Sequence, residues 1–142
     1  MVRKNQSNEI LVNLTQQDID IMGDYGQVLY HLPATPRQAA KIYFDRNEYV
    51  RLKQGSVLVS HVNPVRITGV PEPEGGVYYV VSSVIAQHLR RSDVFSPDTA
   101  PGGAVRDRNT GKIIGVKGLQ AWHDPDEQPV NNSETVRRLF KD

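Results

Sequence analysis

Val77-Tyr78-Tyr79-Val80-Val81-Ser82-Ser83-Val84-Ile85-Ala86 is the stretch that decides the fold. It opens on a run of apolar and aromatic residues that does not alternate. A strand with one face in water alternates; an unbroken apolar run belongs to a strand covered on both faces. Residues 77–81 are therefore expected to form the central strand. Ser82-Ser83 offers a helix N-cap, because a serine hydroxyl accepts from the free N–H groups of the first turn. Val84, Ile85, His88 and Leu89 recur at helical spacing. Arg90-Arg91 falls in the last turn, where cations suit the helix dipole. Val94-Phe95 re-enters as a short strand and ends at Pro97. The unit reads strand–helix–strand with a short connection.

Upstream, residues 9–14 read as a strand, and so do residues 28–32. A hairpin of these two is expected around the Asp24-Tyr25-Gly26 turn. Residues 16–22 read alternatively as a helical turn with Ile19 and Met22 inward. Pro33 and Pro36 bracket a break. Residues 41–44 favour a strand, as do 57–62 and 65–70, with Asn63-Pro64 as the turn between the last two. Pro71-Glu72-Pro73-Glu74-Gly75-Gly76 is a loop.

Downstream, residues 104–106 and 113–119 read as a hairpin around Asn109-Thr110-Gly111. The tail from Asp124 is polar and ends in an expected helix over 133–141. Val136, Leu139 and Phe140 share one face of that helix, which is too short to stand alone in water. It is expected to dock on a neighbouring subunit and make a homo-oligomer, or else on its own domain. The fold class is α+β: a mainly antiparallel sheet with one central helix and a C-terminal helix. Residues 1–123 form the single domain; 124–142 form a polar linker and the helix.

The chain has 142 residues, no cysteine and a net charge of +1. Absence of cysteine removes disulfides, cysteine–zinc sites and thiol catalysis. His31, His61, His88 and His123 lack the spacing of a helical metal site. No metal and no cofactor are expected. Near-zero net charge argues against coating DNA and against sequence-specific DNA binding. No window is long and apolar enough to span a membrane. The first ten residues lack the apolar core of a signal peptide, so the cytoplasm is expected. The triplets Asn13-Leu14-Thr15 and Asn131-Asn132-Ser133 read as chance glycosylation patterns.

Three groups of residues carry candidate chemistry. Ser82 and Ser83 at the strand–helix junction can donate to a phosphate; the plainer reading is an N-cap. Arg106, Arg108 and Lys112 cluster around a hairpin tip and can clamp phosphate and ribose; the plainer reading is a solvated turn. Arg37, Lys41, Arg46, Arg51 and Lys53 interleave with Tyr43, Phe44 and Tyr49, which suits base stacking beside charge. The plainer reading there is an exposed strand pair with its aromatics turned inward. No Gly-x-Ser-x-Gly elbow or phosphate-loop glycine pattern occurs.

Tyr79-Val80-Val81-Ser82-Ser83-Val84-Ile85-Ala86 belongs to a longer series with Asp93-Val94, Ser96-Pro97-Asp98-Thr99, Ala104-Val105-Arg106-Asp107 and Gly111-Lys112-Ile113-Ile114-Gly115-Val116-Lys117-Gly118-Leu119. With Asn13-Leu14-Thr15 upstream, this series resembles a family of short accessory proteins encoded by tailed phages and prophages. The resemblance implies a protein of the host cytoplasm. Phage proteins of this size often act against host defence, some as sponges that bind a cyclic nucleotide or cyclic ADP-ribose without cleaving it. The expected function is such sequestration of a small phosphorylated nucleotide, without catalysis. Ser82, Ser83, Arg106, Arg108 and Lys112 are its expected ligands, with Arg90 and Arg91 reaching in from a neighbouring subunit. Two other functions fit: a virion structural or assembly protein, and a hydrolase of the same signal.

Overall fold

The structure is a computed structural model and describes residues 9–125. It is mostly β-sheet with one α-helix. Strands β1 (Ile10–Asn13), β6 (Val77–Val80), β7 (Val94–Pro97) and β10 (Leu119–Ala121) form one four-stranded sheet in the order β1-β6-β7-β10. Strands β2 (Ile19–Met22), β3 (Val28–Leu32), β8 (Ala104–Arg106) and β9 (Ile113–Val116) form a second, in the order β3-β2-β9-β8. Strands β4 (Lys41–Leu52) and β5 (Val57–Thr68) pair only with each other.

The first sheet is the middle layer. Val80 packs with Ile19, Leu32 and Val116 of the second sheet. Val77, Tyr79 and Val81 face the opposite way, against Ile85 and Ala86 of helix α1 (Ser83–Leu89) and against Val94. Alternate residues of β6 thus meet two different apolar layers, which is why the sequence there does not alternate. β6 lies between β1 and β7 and runs parallel to both. Return to a parallel neighbour needs a crossover of about a dozen residues, and residues 81–93 supply it through α1. Ser82 caps the helix, its hydroxyl accepting from the Ile85 N–H at 3.4 Å. Arg90 ends it in the left-handed conformation. On the sheet, Tyr78 stacks on Phe95 with 5.5 Å between ring centroids. Burial, then the negative charges of Glu9 and Asp93, push the Tyr78 phenol above its ordinary pKa.

Three expectations need correction. The hairpin near the amino terminus joins β2 to β3, while β1 pairs in parallel with β6. Residues 19–22 are a strand and not a helical turn. Residues 57–68 are one strand, and Asn63-Pro64 is no turn. Pro64 sits opposite Phe44 beside a register shift in an edge strand, the places in a sheet that admit proline. Antiparallel pairing predominates, in β2–β3, β4–β5, β7–β10 and β8–β9, while β1–β6, β6–β7 and β2–β9 are parallel pairs. The expected helix over 133–141 lies outside the described residues.

The β4–β5 ribbon leaves the body from the Ala39-Ala40 and Gly69-Val70 segments. Ala39 and Ala40 are buried, and Ile42, Ile67 and Val70 pack on the core at its base. Gly69 has φ +89°, and a Cβ there would lie 3.1 Å from the Ala40 Cα. Glycine lets the two backbones meet at this root. Beyond the root, nearly every residue of both strands is exposed.

Candidate functional site

Two features stand out: a cavity in the body, and the exposed ribbon. The cavity holds about 490 Å³ and lies at the carboxyl ends of β1, β6 and β7. Sheets with parallel neighbours place ligand crevices at such strand ends. Thr15, Gln17, Ser82 and Thr99 supply polar groups at these ends, and Ile19, Ile113, Ile114 and Val116 supply apolar wall.

Asn13 shapes the mouth. Its amide nitrogen donates to the carbonyls of Gln17 and Leu32, both at 2.9 Å. Its Oδ1 accepts from the Thr15 N–H at 2.9 Å and the Thr15 hydroxyl at 2.7 Å. One buried side chain therefore ties the 13–17 turn to the end of β3. This is the physical use of the Asn13-Leu14-Thr15 triplet. Asn13→Ala is expected to cost about 2 kcal/mol, since it orphans buried backbone groups. Chemical denaturation should show the loss as a lower midpoint with unchanged slope.

The rim is acidic. Asp18 and Asp20 both line the cavity. His31 bridges them, its Nδ1 at 2.6 Å from Asp20 Oδ1 and its Nε2 at 3.4 Å from Asp18 Oδ2. Asp18 Oδ1 also accepts from the Ala34 N–H at 2.9 Å. Gly115 forms part of the opposite wall. A Cβ there would strike the Met22 thioether and lie 2.9 Å from the Asp20 carbonyl oxygen. Met22 can turn aside, but the Asp20 backbone cannot without moving β2. Gly115→Ala is expected to cost about 1–3 kcal/mol by overpacking, read as a lower melting temperature.

Of the residues expected from sequence to bind ligand, Ser82 alone lines this cavity. Ser83 is the half-buried first residue of α1. Arg90 is the helix C-cap, its N–H donating to the Ala86 carbonyl at 2.9 Å. Arg91 donates through Nε to Asp93 Oδ1 at 2.9 Å and through its terminal NH2 group to Oδ2 at 2.6 Å. Arg106, Arg108 and Lys112 do come together in the β8–β9 hairpin. There Arg106 donates to the Gly111 carbonyl at 2.7 Å, while Arg108 and Lys112 are exposed. Asp107 accepts from the Thr110 and Asn109 N–H groups, which holds its carboxyl below the usual carboxylate range. The tip is thus a self-satisfied turn.

The ribbon is an exposed strand pair, and its aromatics Tyr43, Phe44 and Tyr49 do not turn inward. Tyr49 is 69% exposed. Arg66 lies over the Tyr43 ring, 4.4 Å from its centroid, and Phe44 meets His88 of α1 edge-on. Near the tip Val50 pairs with Val59 and Leu52 with Val57. Paired residues share a face, and so do residues two apart. Val50, Leu52, Val57 and Val59 therefore form one apolar patch, with Arg51 and Leu58 on the opposite face and Lys53 next in the turn. Its members Val50, Leu52 and Val57 are 40%, 47% and 50% exposed. Sequence periodicity alone missed this patch, because the register that assembles it depends on the bulge between Glu48 and Val50.

Comparison with protein-family models, with curated proteins and with solved structures finds no match. Among the described residues no helix is long and apolar enough to cross a membrane.

Proposed function

We propose that this chain is a non-catalytic assembly protein that joins copies of itself through the β4–β5 ribbon. The observation that carries this reading is the apolar tip patch on a ribbon without support beyond its root. A two-stranded ribbon alone is marginal in water, and exposed apolar patches mark interaction surfaces. Two strands of 12 residues each reach roughly 40 Å at about 3.3 Å per residue, enough to touch a neighbouring molecule. Under the phage resemblance, such a protein serves as a structural part of a particle. Leu52→Asp combined with Val57→Asp is the test. Light scattering should find a multimer for the unaltered chain and a monomer for the variant, with both melting alike. A monomeric unaltered chain at every concentration sinks the proposal.

Sequestration of a cyclic nucleotide or cyclic ADP-ribose is the second reading. The cavity volume favours it, since small-molecule pockets span about 300–1,000 Å³. The acidic rim weighs against it, because Asp18 and Asp20 repel phosphate. Ligand recovered intact from heat-denatured protein would support sequestration over assembly.

A further inference from the structure

We infer that the ribbon tip of one copy seats in the strand-end cavity of the next copy. This rests on the self-assembly reading and adds what the ribbon binds. The two surfaces match in kind. The tip carries the Val50–Val59 and Leu52–Val57 pairs on one face; Lys53 follows in the turn, and Arg51 lies on the other face, its guanidinium donating to the Ser56 carbonyl at 3.1 Å. The cavity offers Ile19, Ile113, Ile114 and Val116 as apolar wall, with Asp18 and Asp20 at its rim. Ile113 and Ile114 are both exposed in the single chain, so the wall gains cover when the tip enters.

Charge divides the same way over the described residues. The ribbon, residues 41–68, carries Lys41, Arg46, Arg51, Lys53 and Arg66 against Asp45 and Glu48, a net of +3. The other described residues, 9–40 and 69–125, carry seven cations against ten anions, a net of −3. A basic arm and an acidic body repel their own kind and attract each other. Pairing of arm to arm would bring two +3 segments together; arm to body does not. The contact joins two different surfaces, so it is heterologous: copies link head to tail, closing into a ring or running on as a filament.

Absence of cysteine from the chain permits a clean test. Gln54→Cys places a thiol at the ribbon tip, and Gln17→Cys places one at the cavity mouth. The two single variants are mixed and mildly oxidised at low and at high salt. The inference expects a covalent heterodimer from the mixture, several-fold less of it at high salt, and little dimer from either variant alone. Full-length assembly with no tip-to-mouth product overturns the inference and leaves the self-assembly reading standing. Dimer from Gln54→Cys alone means tip-to-tip pairing and does the same. A chain that stays monomeric in light scattering overturns both.

Discussion

Val80→Asp should leave no cooperative melting transition near that of the unaltered protein. Val80 has no exposed surface. It sits on the strand flanked by β1 and β7 and contacts Ile19, Leu32 and Val116 of the facing sheet. An aspartate there faces Ile19, Leu32 and Val116, beside Asn13, whose side-chain hydrogen bonds are already committed. It must bury an unpaired charge or protonate and bury an unpaired acid, and either is costly. Loss of the valine contacts adds to the penalty. The sum exceeds about 4 kcal/mol, the range reserved for disruption of a core. A domain of ordinary stability has only about 5–15 kcal/mol to lose. Val84→Asp is the matched control. Val84 lies in the first turn of α1 and is 43% exposed, where an acid favours the helix dipole. It should melt within a few degrees of the unaltered chain. Equal melting of the two variants would mean that β6 is not the centre of the core.

The contrast between these two valines is also the measure of what the sequence discloses. The β6–α1–β7 unit was legible because each part carries its own local signal: an unbroken apolar run, a serine cap, helical spacing and a proline stop. The partner of β1 was not legible. Parallel pairing with β6 joins segments more than sixty residues apart, and nothing local to residues 10–13 specifies it. Asn63-Pro64 carried a true turn signal that tertiary context overrode, since an edge strand accepts proline. The run over 113–119 hid a change of sheet at Lys117-Gly118, where the Lys117 N–H donates to the Gly103 carbonyl and the Asp98 N–H to the Gly118 carbonyl.

The candidate site was less legible than the fold for a related reason. Cations near a turn attract notice in a sequence, and six of the seven residues singled out lie away from the cavity. The cavity is drawn from residues 15–20, 82, 97, 99 and 113–116, polar, acidic and aliphatic groups that carry no motif. Only the sheet order brings them together. The signal present in the sequence was Asn13: a polar residue ending an apolar strand, with a hydroxyl two residues on, is the pattern of a side chain that organises a turn.

Arg91→Ala is the variant that separates a ligand-binding arginine from a structural one, and the structure favours a large loss of stability. Asp93 is fully buried, at 0% exposure, while the Arg91 side chain keeps 23%. The guanidinium grips both carboxylate oxygens, at 2.9 Å and 2.6 Å. This is the two-pronged geometry that lysine cannot reproduce. The pair lies in the turn between α1 and β7, next to buried Ser92 and Val94, so it fixes where the crossover re-enters the sheet. Removal of the arginine strands a carboxylate that has no access to water. Breaking a buried pair from one side costs about 3–5 kcal/mol. The lower end applies, because Arg91 itself reaches solvent and solvent already weakens its share of the attraction. Arg91→Lys should recover part of the loss by restoring charge without the fork. Arg91→Ala with Asp93→Ala should lose less than the two single losses added together, since the charge left unpaired by one change is removed by the other. Urea denaturation of the unaltered chain, Arg91→Ala, Arg91→Lys, Asp93→Ala and the double variant reads all three statements. A loss below about 1 kcal/mol for Arg91→Ala would show that the pair is dispensable and would return Arg91 to the residues free to bind a ligand.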